Sequence, residues 1–194
     1  MTAKPLQDNA PTEAPADIVL VPRVVMLPAA MRLLTQLRGK HGPLMLHQSG
    51  GCCDGSSPMC YPQGEFIVGD REVLLGVLDL RLQLDEVPTD APVDTDSVPV
   101  WISAQQFATW RHTQLVLDVV PGRGAGFSLD APEGVRLLTR SQVFNPAEVP
   151  ALKDQPVLTG SDWEEGRRPP PATHPQVVAE VDDACALPDP TVGR

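Results

Sequence analysis

The chain has 194 residues, of which 42% are hydrophobic and 22 are prolines, and its formal net charge is −10. This length suits one ordinary domain with extensions. The negative balance argues against nucleic acid as a partner, because binding to phosphates requires a basic surface.

The two ends of the chain predict disordered segments. Residues 1–23 are polar and rich in proline, and we predict a disordered arm there. Residues 146–194 combine scattered apolar residues with nine prolines and nine acids against four bases, which predicts a disordered acidic tail. A single domain is then expected over 24–145. Because no pattern of a secretory signal or a bilayer-spanning segment is visible, we expect a cytoplasmic protein that contacts no membrane.

The first half of the domain predicts one helix and several strands. Residues 28–41 begin with proline, carry an apolar stripe and end in basic residues, which predicts a helix capped by Gly42. The predicted strand 44–47 leads directly into a glycine- and serine-rich loop over 48–62. Further strands are predicted at 65–68 and 73–78.

The second half predicts more strands around one short helix. The acidic, proline-containing segment 79–97 is predicted to be a long loop. Ser103 and Gln106 match a capping box, which predicts a helix over 104–111. The remaining strands are predicted at 98–102, 114–120, 127–129 and 135–139. We therefore predict an α+β fold of mainly antiparallel strands, in a small sandwich or barrel, with one leading helix and disordered termini.

The segment from His47 to Cys60 carries the strongest sign of a functional site. Cys52, Cys53 and Cys60 lie within nine positions, Asp54 separates the thiols, and His47 lies five residues upstream of the pair. Glycines and serines flank the thiol pair, so the backbone there can bend freely. Clustered cysteines in a reducing compartment are more often metal-binding or catalytic than disulfide-bonded.

One interpretation of this segment is a metal site. Its spacing differs from that of zinc fingers, zinc ribbons and Cys-x-x-Cys motifs. Thiolate and imidazole ligands favour zinc, iron or copper over magnesium or calcium. Adjacent cysteines project in different directions, so one or both of them would bind. The predicted ligands are Cys52, Cys53, Cys60, His47 and His112, with Asp54 as an outer carboxylate that orients a ligand histidine.

Two other interpretations of the segment stay open. In the first, Cys52 or Cys53 is a nucleophilic or redox-active thiol and Cys60 resolves it, which requires a lowered thiol pKa. In the second, the cysteines are small buried residues in a tight turn, and Asp54 simply forms an Asp-Gly turn.

Several other residues receive structural predictions. Residues 121–126 lack the last glycine of Gly-x-Gly-x-x-Gly and lie between strands, which favours a hairpin over a phosphate loop. Glu65, Asp70 and Glu72 are predicted at solvated strand ends. Four aromatic residues are predicted to lie in the core: Trp101, Phe107, Trp110 and Phe127.

The chain resembles an uncharacterised bacterial family, domain of unknown function 779, over about residues 28–144. The motifs that carry the resemblance are His47 to Cys60, Tyr61-Pro62, Gly64-Glu65-Phe66, Trp110-x-His112-Thr113, Pro121-Gly122-Arg123-Gly124 and Arg136-x-x-Thr139-Arg140. Gly-Gly-Cys-Cys-Asp-Gly-Ser is the most specific of them. This chain departs from the family pattern in its longer acidic segment and its long tail.

The resemblance implies a role near aldehyde or alcohol oxidation, because members of the family are often encoded beside aldehyde dehydrogenases. It implies no mechanism. We therefore expect an accessory protein with a cysteine-rich metal-binding loop that supports an aldehyde or alcohol dehydrogenase, with an aldehyde dehydrogenase as partner. The alternative is a thiol-based redox or aldehyde-reactive enzyme or sensor that uses the vicinal cysteines.

Overall fold

The computed structural model describes residues 19–48, 57–122 and 126–179. These residues form two sheets and a few helices, which confirms the predicted α+β class. Over these ranges the strands do not close into a barrel, and each sheet contains one parallel pair beside its antiparallel pairs. None of the helices in the same ranges has the length and apolar content that crossing a bilayer requires.

The described part of the chain forms strands interspersed with helices. They are β1 (Val24–Met26), α1 (Pro28–His41), β2 (Leu44–Gln48), β3 (Met59–Pro62), β4 (Val73–Asp79), β5 (Ser97–Ile102), α2 (Ala104–Trp110), β6 (Thr113–Pro121), a 3₁₀ turn (Ala131–Glu133), β7 (Val135–Val143), α3 (Val149–Asp154) and α4 (Gly160–Glu164).

The leading helix α1 has the predicted bounds. Pro28 occupies its first turn, where a missing N–H group costs nothing. Gly42 ends the helix with a φ of 80°, a conformation that glycine adopts without strain, and its N–H donates to the carbonyl oxygen of Arg38. The buried face is the predicted apolar stripe of Ala30, Leu33, Leu34 and Leu37.

The main core lies between the two sheets and α1. The strand orders are β1-β6-β7 and β3-β2-β5-β4. The first sheet contributes Val24 and Leu117 to this core, and the second sheet contributes Leu46 and Val100. Each fully buried leucine or valine of this kind contributes roughly 1.5–3 kcal/mol to the free energy of unfolding. A Cβ atom at Gly76 would lie 3.1 Å from a Val24 methyl, so β1 and β4 approach closely there.

The pleat of β2 separates its side chains onto two faces. Leu44 and Leu46 join the main core, whereas Met45 lies with Leu74 and Trp101 in a second cluster on the outer face of the sheet. Because side chains alternate along a strand, His47 shares the outer face with Met45. Partly buried aromatic residues cover this face: Tyr61, Phe66 and Trp163.

The prediction of a disordered tail is wrong for residues 146–179. This segment contains α3 and α4, and a capping box between Thr159 and Asp162 begins α4. Val177 is fully buried and forms a parallel bridge with Met26, at the open edge of β1. The apolar residues of this segment are too sparse to form a periodic pattern. Its buried residues, such as Val177, pack against elements that are distant in the chain. Residues 180–194 lie outside the described ranges.

The prediction of a disordered arm over residues 1–23 is also wrong for its last five residues. Val21 and Arg23 are buried, and the N–H group of Leu20 donates to the hydroxyl of Thr173 at 2.9 Å. Residues 19–23 therefore belong to the folded domain, because the tail segment gives them a surface to pack against. Residues 1–18 lie outside the described ranges.

Two of the predicted strands are wrong. Residues 65–68 and 127–129 form turns and irregular backbone instead. Phe127 is 87% exposed, so it lies outside the core, whereas Trp101 is 1% exposed as predicted. The acidic residues between β4 and β5 form turns, and Arg81 bridges Asp79 and Asp90 there.

Candidate functional site

The loop that carries the cysteine pair is attached to the fold at both ends. On one side, Gln48 ends β2 in register with Ile102 of β5. On the other side, the hydroxyl of Ser57 donates to the carbonyl oxygen of Leu137 in β7. Cys52, Cys53 and Asp54 lie between these two points, outside the described residues. The predicted ligand role of the two cysteines and the predicted orienting role of Asp54 remain predictions.

His47 lies directly before this loop and is paired with a carboxylate. Its side chain is buried, and its Nε2 lies 2.8 Å from Oε2 of Glu72. An ionised carboxylate can only accept, so the Nε2–H group is the donor. In a neutral imidazole the lone pair then lies on Nδ1, the nitrogen that would bind a metal. The ring also packs against Phe66 in a tilted arrangement, with 4.5 Å between the ring centroids.

Aromatic side chains surround this pair on the outer face of the sheet. Tyr61 stacks on Phe66 at 4.9 Å, and Trp101 meets Trp163 edge to face at 5.6 Å. Burial raises the pKa of the Tyr61 hydroxyl. Phe66, Trp101 and Trp163 also line a cavity of about 270 Å³. The imidazole therefore lies buried among aromatic rings, whereas the side chain of Glu72 is 24% exposed.

Cys60 lies on the other face of the sheet. It pairs with Leu46 in the β2–β3 register and is fully buried in the main core. Burial, and next the nearby carboxylate of Asp130, raise the pKa of its thiol to about 12. Its backbone N–H donates to the hydroxyl of Ser128, and its carbonyl oxygen accepts from the N–H of Leu129. At neutral pH the thiol is therefore protonated and enclosed.

Asp130 connects the backbone near the end of the loop with β7. The carboxylate is buried and accepts hydrogen bonds from the Ser128 hydroxyl and from the N–H of Leu137 at 3.0 Å. Ser57 also donates to the carbonyl oxygen of Leu137. One buried carboxylate thus links β3, which follows the loop, with β7, which accepts the hydrogen bond from Ser57. The role of Asp130 is structural.

The structure does not bring His47 and Cys60 together. Residues that pair across an antiparallel ladder share a face, so Cys60 lies with Leu46, whereas His47 lies with Met59. Within the described ranges, no three His, Cys, Asp or Glu side chains converge as a metal site requires.

His112 is exposed and follows the C-terminal end of α2. The other end of α2 follows Ile102, the residue that pairs with Gln48 at the end of β2. Seven helical residues at 1.5 Å each separate these ends by about 10 Å. His112 therefore lies at the opposite end of α2 from Ile102.

Glu72 is the residue that the sequence interpretation missed. It was predicted at a solvated strand end, yet its carboxylate bonds to a buried imidazole 25 residues earlier in the chain. Glu72 directly precedes β4, and β5 lies between β4 and β2. No local pattern contains this pairing, because it depends on the strand order of the sheet.

Comparison with known proteins identifies one family. The family model described as Domain of unknown function (DUF779) matches residues 33–143. The search of curated proteins gives no match, and the search of solved structures gives none either. The matched range runs from within α1 to the end of β7, so it contains the cysteine loop together with His47, Glu72 and Cys60. It leaves out β1 and the folded tail segment.

Proposed function

We propose a metal-handling accessory role for this chain, which belongs to the DUF779 family of unknown function. One or both of Cys52 and Cys53 supply thiolate ligands, and His47 supplies an imidazole ligand. Zinc, iron and copper are the metals that this combination of donors favours. The observation that carries the proposal is the hydrogen bond between His47 and Glu72, 2.8 Å long, directly before the cysteine loop.

A carboxylate behind an imidazole is a common feature of metal sites. Histidines that bind metals almost always donate their second ring N–H to a carboxylate, a carbonyl group or water. This bond fixes the tautomer and makes the other nitrogen a better ligand. A chain of five residues reaches at most about 17 Å, so Cys52 stays within that distance of His47.

The number of available donors supports metal handling rather than a closed structural site. We assign Cys60 a packing role, because its protonated thiol lies on the core face of the sheet. Cys52, Cys53 and His47 then offer at most three ligands, whereas structural zinc sites have four. A site with an open position can accept a metal and release it to a partner.

The partner in this proposal is an aldehyde or alcohol dehydrogenase, and the compartment is the cytoplasm. The family resemblance supports the partner, and a metal-binding pair of cysteines suits a reducing compartment. Copurification of the tagged full chain with an endogenous aldehyde dehydrogenase, by crosslinking and mass spectrometry, tests this part. The expected result is enrichment over a tagged control protein, and equal recovery would contradict the partnership while leaving the metal site intact.

Elemental analysis of the full chain, purified without chelator, tests the metal site. We expect close to one equivalent of zinc, iron or copper per chain. His47→Ala and the double variant Cys52→Ser/Cys53→Ser should lose the metal. Cys185→Ser is the matched control, since it removes a thiol outside the proposed site, and it should keep the metal. Less than a tenth of an equivalent, with no uptake on reconstitution, would contradict the proposal.

The second candidate is a reactive thiol in the same loop, acting in redox chemistry or on aldehydes. The raised pKa of Cys60 weighs against its predicted role as the resolving thiol, since resolution requires an accessible thiolate. Alkylation with iodoacetamide separates the two candidates. A metal protects its ligand thiols together until a chelator is added, whereas a reactive thiol is modified first and alone.

A further inference from the structure

The last pair of the β2–β3 ladder lies at the base of the cysteine loop. His47 pairs with Met59 in the antiparallel register, and residues 48–58, which include Cys52 and Cys53, connect the two. Residues that pair across a ladder share a face, and their Cβ atoms lie about 4.5–5.5 Å apart. Both side chains are longer than this separation. The thioether of Met59 and the imidazole of His47 can therefore reach one metal ion on the outer face of the sheet.

The sulfur of Met59 is held in place by a hydrogen bond. Met59 is half-buried, and its Sδ accepts from the hydroxyl of Tyr61 at 3.1 Å. Tyr61 stacks on Phe66, which in turn packs against His47. A thioether sulfur has a second lone pair, which the bond from Tyr61 leaves free to bind a metal.

The other described methionines have packing roles. Met26 is fully buried in the main core, and Met31 packs against the same core from α1. Met45 shares the outer face with His47, but it is enclosed in the second cluster. Among the described methionines, Met59 is thus the one that combines partial exposure with a position opposite His47.

A thioether changes the metal preference of a site. The protein ligands of zinc are thiolate, imidazole and carboxylate groups. Thioethers are soft and uncharged, and together with thiolates they favour copper(I). The carboxylate of Glu72 accepts from Nε2 of His47, so it supports the ring from behind. The donors at the base of the loop are therefore soft ones.

We infer that Met59 is a further ligand of the proposed metal site and that this ligand suits the site to copper(I). The role of Met59 rests on the proposed function, which supplies the imidazole of His47 and the thiolates of Cys52 and Cys53. Methionine sulfur binds copper weakly, often through a long bond. Met59 therefore fills the position that the other donors leave open, and a partner can displace it when the metal is released.

NMR spectra of the full chain, labelled with ¹³C at the methionine methyl groups, test this contact directly. We expect one equivalent of copper(I), added anaerobically as its acetonitrile complex, to shift the Met59 methyl signal. The signals of Met26 and Met31 should stay in place. One equivalent of zinc should cause a much smaller shift of the Met59 signal, because zinc takes no thioether ligand.

Variants separate a ligand from a packing residue. Met59→Leu conserves volume and apolar character, so the fold should tolerate it. We expect it to weaken copper(I) binding by about tenfold or more, since loss of an outer partner alone costs about that much. Its affinity for zinc should be unchanged. Competition with bathocuproine disulfonate measures copper(I), and competition with a chromophoric chelator measures zinc.

Two further variants complete the set. Tyr61→Phe removes the hydrogen bond to the sulfur, and it should weaken copper(I) binding by less than Met59→Leu does. Met31→Leu is the matched control on α1, and it should bind both metals as the parent chain does. If Met59→Leu fails to fold, the methyl spectra of the parent chain decide the role of Met59.

The possible failures distinguish the two proposals. A parent chain that binds neither metal would overturn both the role of Met59 and the metal-handling proposal. A chain that binds metal but shows no shift of the Met59 methyl with copper(I), or equal shifts with copper(I) and zinc, would overturn the role of Met59 alone. Equal losses of both affinities in Met59→Leu would do the same, since they indicate a packing role.

Discussion

The imidazole of His47 and the carboxylate of Glu72 meet at 2.8 Å on the outer face of the four-stranded sheet. They come from the end of β2 and the start of β4, two strands that are separated by β5. Glu72 is also held from the tail, because its carbonyl oxygen accepts the N–H of Gly160 at 2.9 Å. The position of this carboxylate therefore depends both on the sheet and on the attachment of α4.

Replacing Glu72 by glutamine tests what its charge does for His47. The amide oxygen can still accept from Nε2–H, so we expect the free energy of unfolding to change by less than about 1 kcal/mol. Loss of the negative charge should make the imidazole a poorer ligand and weaken metal binding by about 10- to 100-fold. Competition with a chromophoric chelator measures the affinity.

Glu65→Gln is the matched control, since it changes an exposed glutamate in the same connection between β3 and β4. It should leave both the stability and the affinity for metal unchanged. Equal affinities of the Glu72→Gln variant and the parent chain would show that Glu72 has only a packing role.

Gly160→Ala should detach α4 from the sheet. A Cβ atom at this position would collide with the carbonyl oxygen of Gly69, which is backbone and cannot swing away. We expect a loss of about 1–3 kcal/mol of stability, as for other overpacked sites. The emission of Trp163 should shift to longer wavelength as its contact with Trp101 opens. Urea unfolding and fluorescence spectra measure both effects.

Replacing Gly39 by alanine should have the opposite effect on stability. Gly39 lies in α1, and nothing lies within 4 Å of the position its Cβ would take. Alanine in a helix interior is favoured over glycine by roughly 0.5–1 kcal/mol, so this variant should be more stable than the parent chain. A Gly160→Ala variant as stable as the parent chain would contradict the close contact between Gly160 and Gly69.

Shortening the chain tests whether the tail belongs to the domain. Ending the chain after 145 removes α3, α4 and the fully buried Val177, and it exposes the edge of β1 at Met26. We expect a much lower midpoint of thermal unfolding and a tendency to aggregate, because an uncovered strand edge pairs with other chains. A chain that ends after 179 keeps every described contact and is the control. Equal midpoints for the two shortened chains would contradict the packing of the tail segment against the domain.

The sequence predicts the parts of this fold whose signal is local. The bounds of α1 follow from Pro28, an apolar stripe and Gly42, and those of α2 follow from Ser103, whose hydroxyl accepts from the N–H of Gln106. The strands near 73–79 and 97–102 are continuous apolar runs. In each case the residues that determine the element lie within it.

The errors fall where partners are distant in the chain. Val177 is buried because it pairs with the open edge of β1, and Phe66 is partly covered because His47 and Tyr61 pack against it. The separation of His47 from Cys60 has the same origin. Both residues flank one loop in the sequence, but the β2–β3 register places them on opposite faces of the sheet.

Cys60 should react with alkylating reagents far more slowly than an ordinary free thiol. It is fully buried, and its raised pKa of about 12 leaves almost no thiolate at neutral pH. In the native chain at pH 7.5, we expect iodoacetamide to modify Cys60 only as fast as the domain opens, and rapidly in urea. Peptide mass spectrometry follows each cysteine separately. Native modification of Cys60 at the rate of an ordinary free thiol would contradict this burial.

The same thiol should make the stability of the protein depend on alkaline pH. The thiol pKa is 9.0 in the reference state and about 12 in the folded chain, so the unfolded chain loses this proton first as the pH rises. The stability that Cys60 contributes is therefore fully present below pH 9 and is lost between pH 9 and about 12. The expected slope is about 1.4 kcal/mol per pH unit within that window.

Cys60→Ala isolates this contribution from the other groups that titrate in the same range, Tyr61 among them. Below pH 9, the parent chain and the variant should differ by a constant free energy of unfolding, which reflects the lost packing of the sulfur. Above pH 9, the parent chain should lose stability faster than the variant, so the difference should narrow and then reverse. Urea unfolding at pH values from 7 to 10.5 measures both curves. Parallel curves over that range would mean that Cys60 ionises as easily in the folded chain as in the unfolded chain. The thiol would then be exposed to solvent or would lie close to a positive charge.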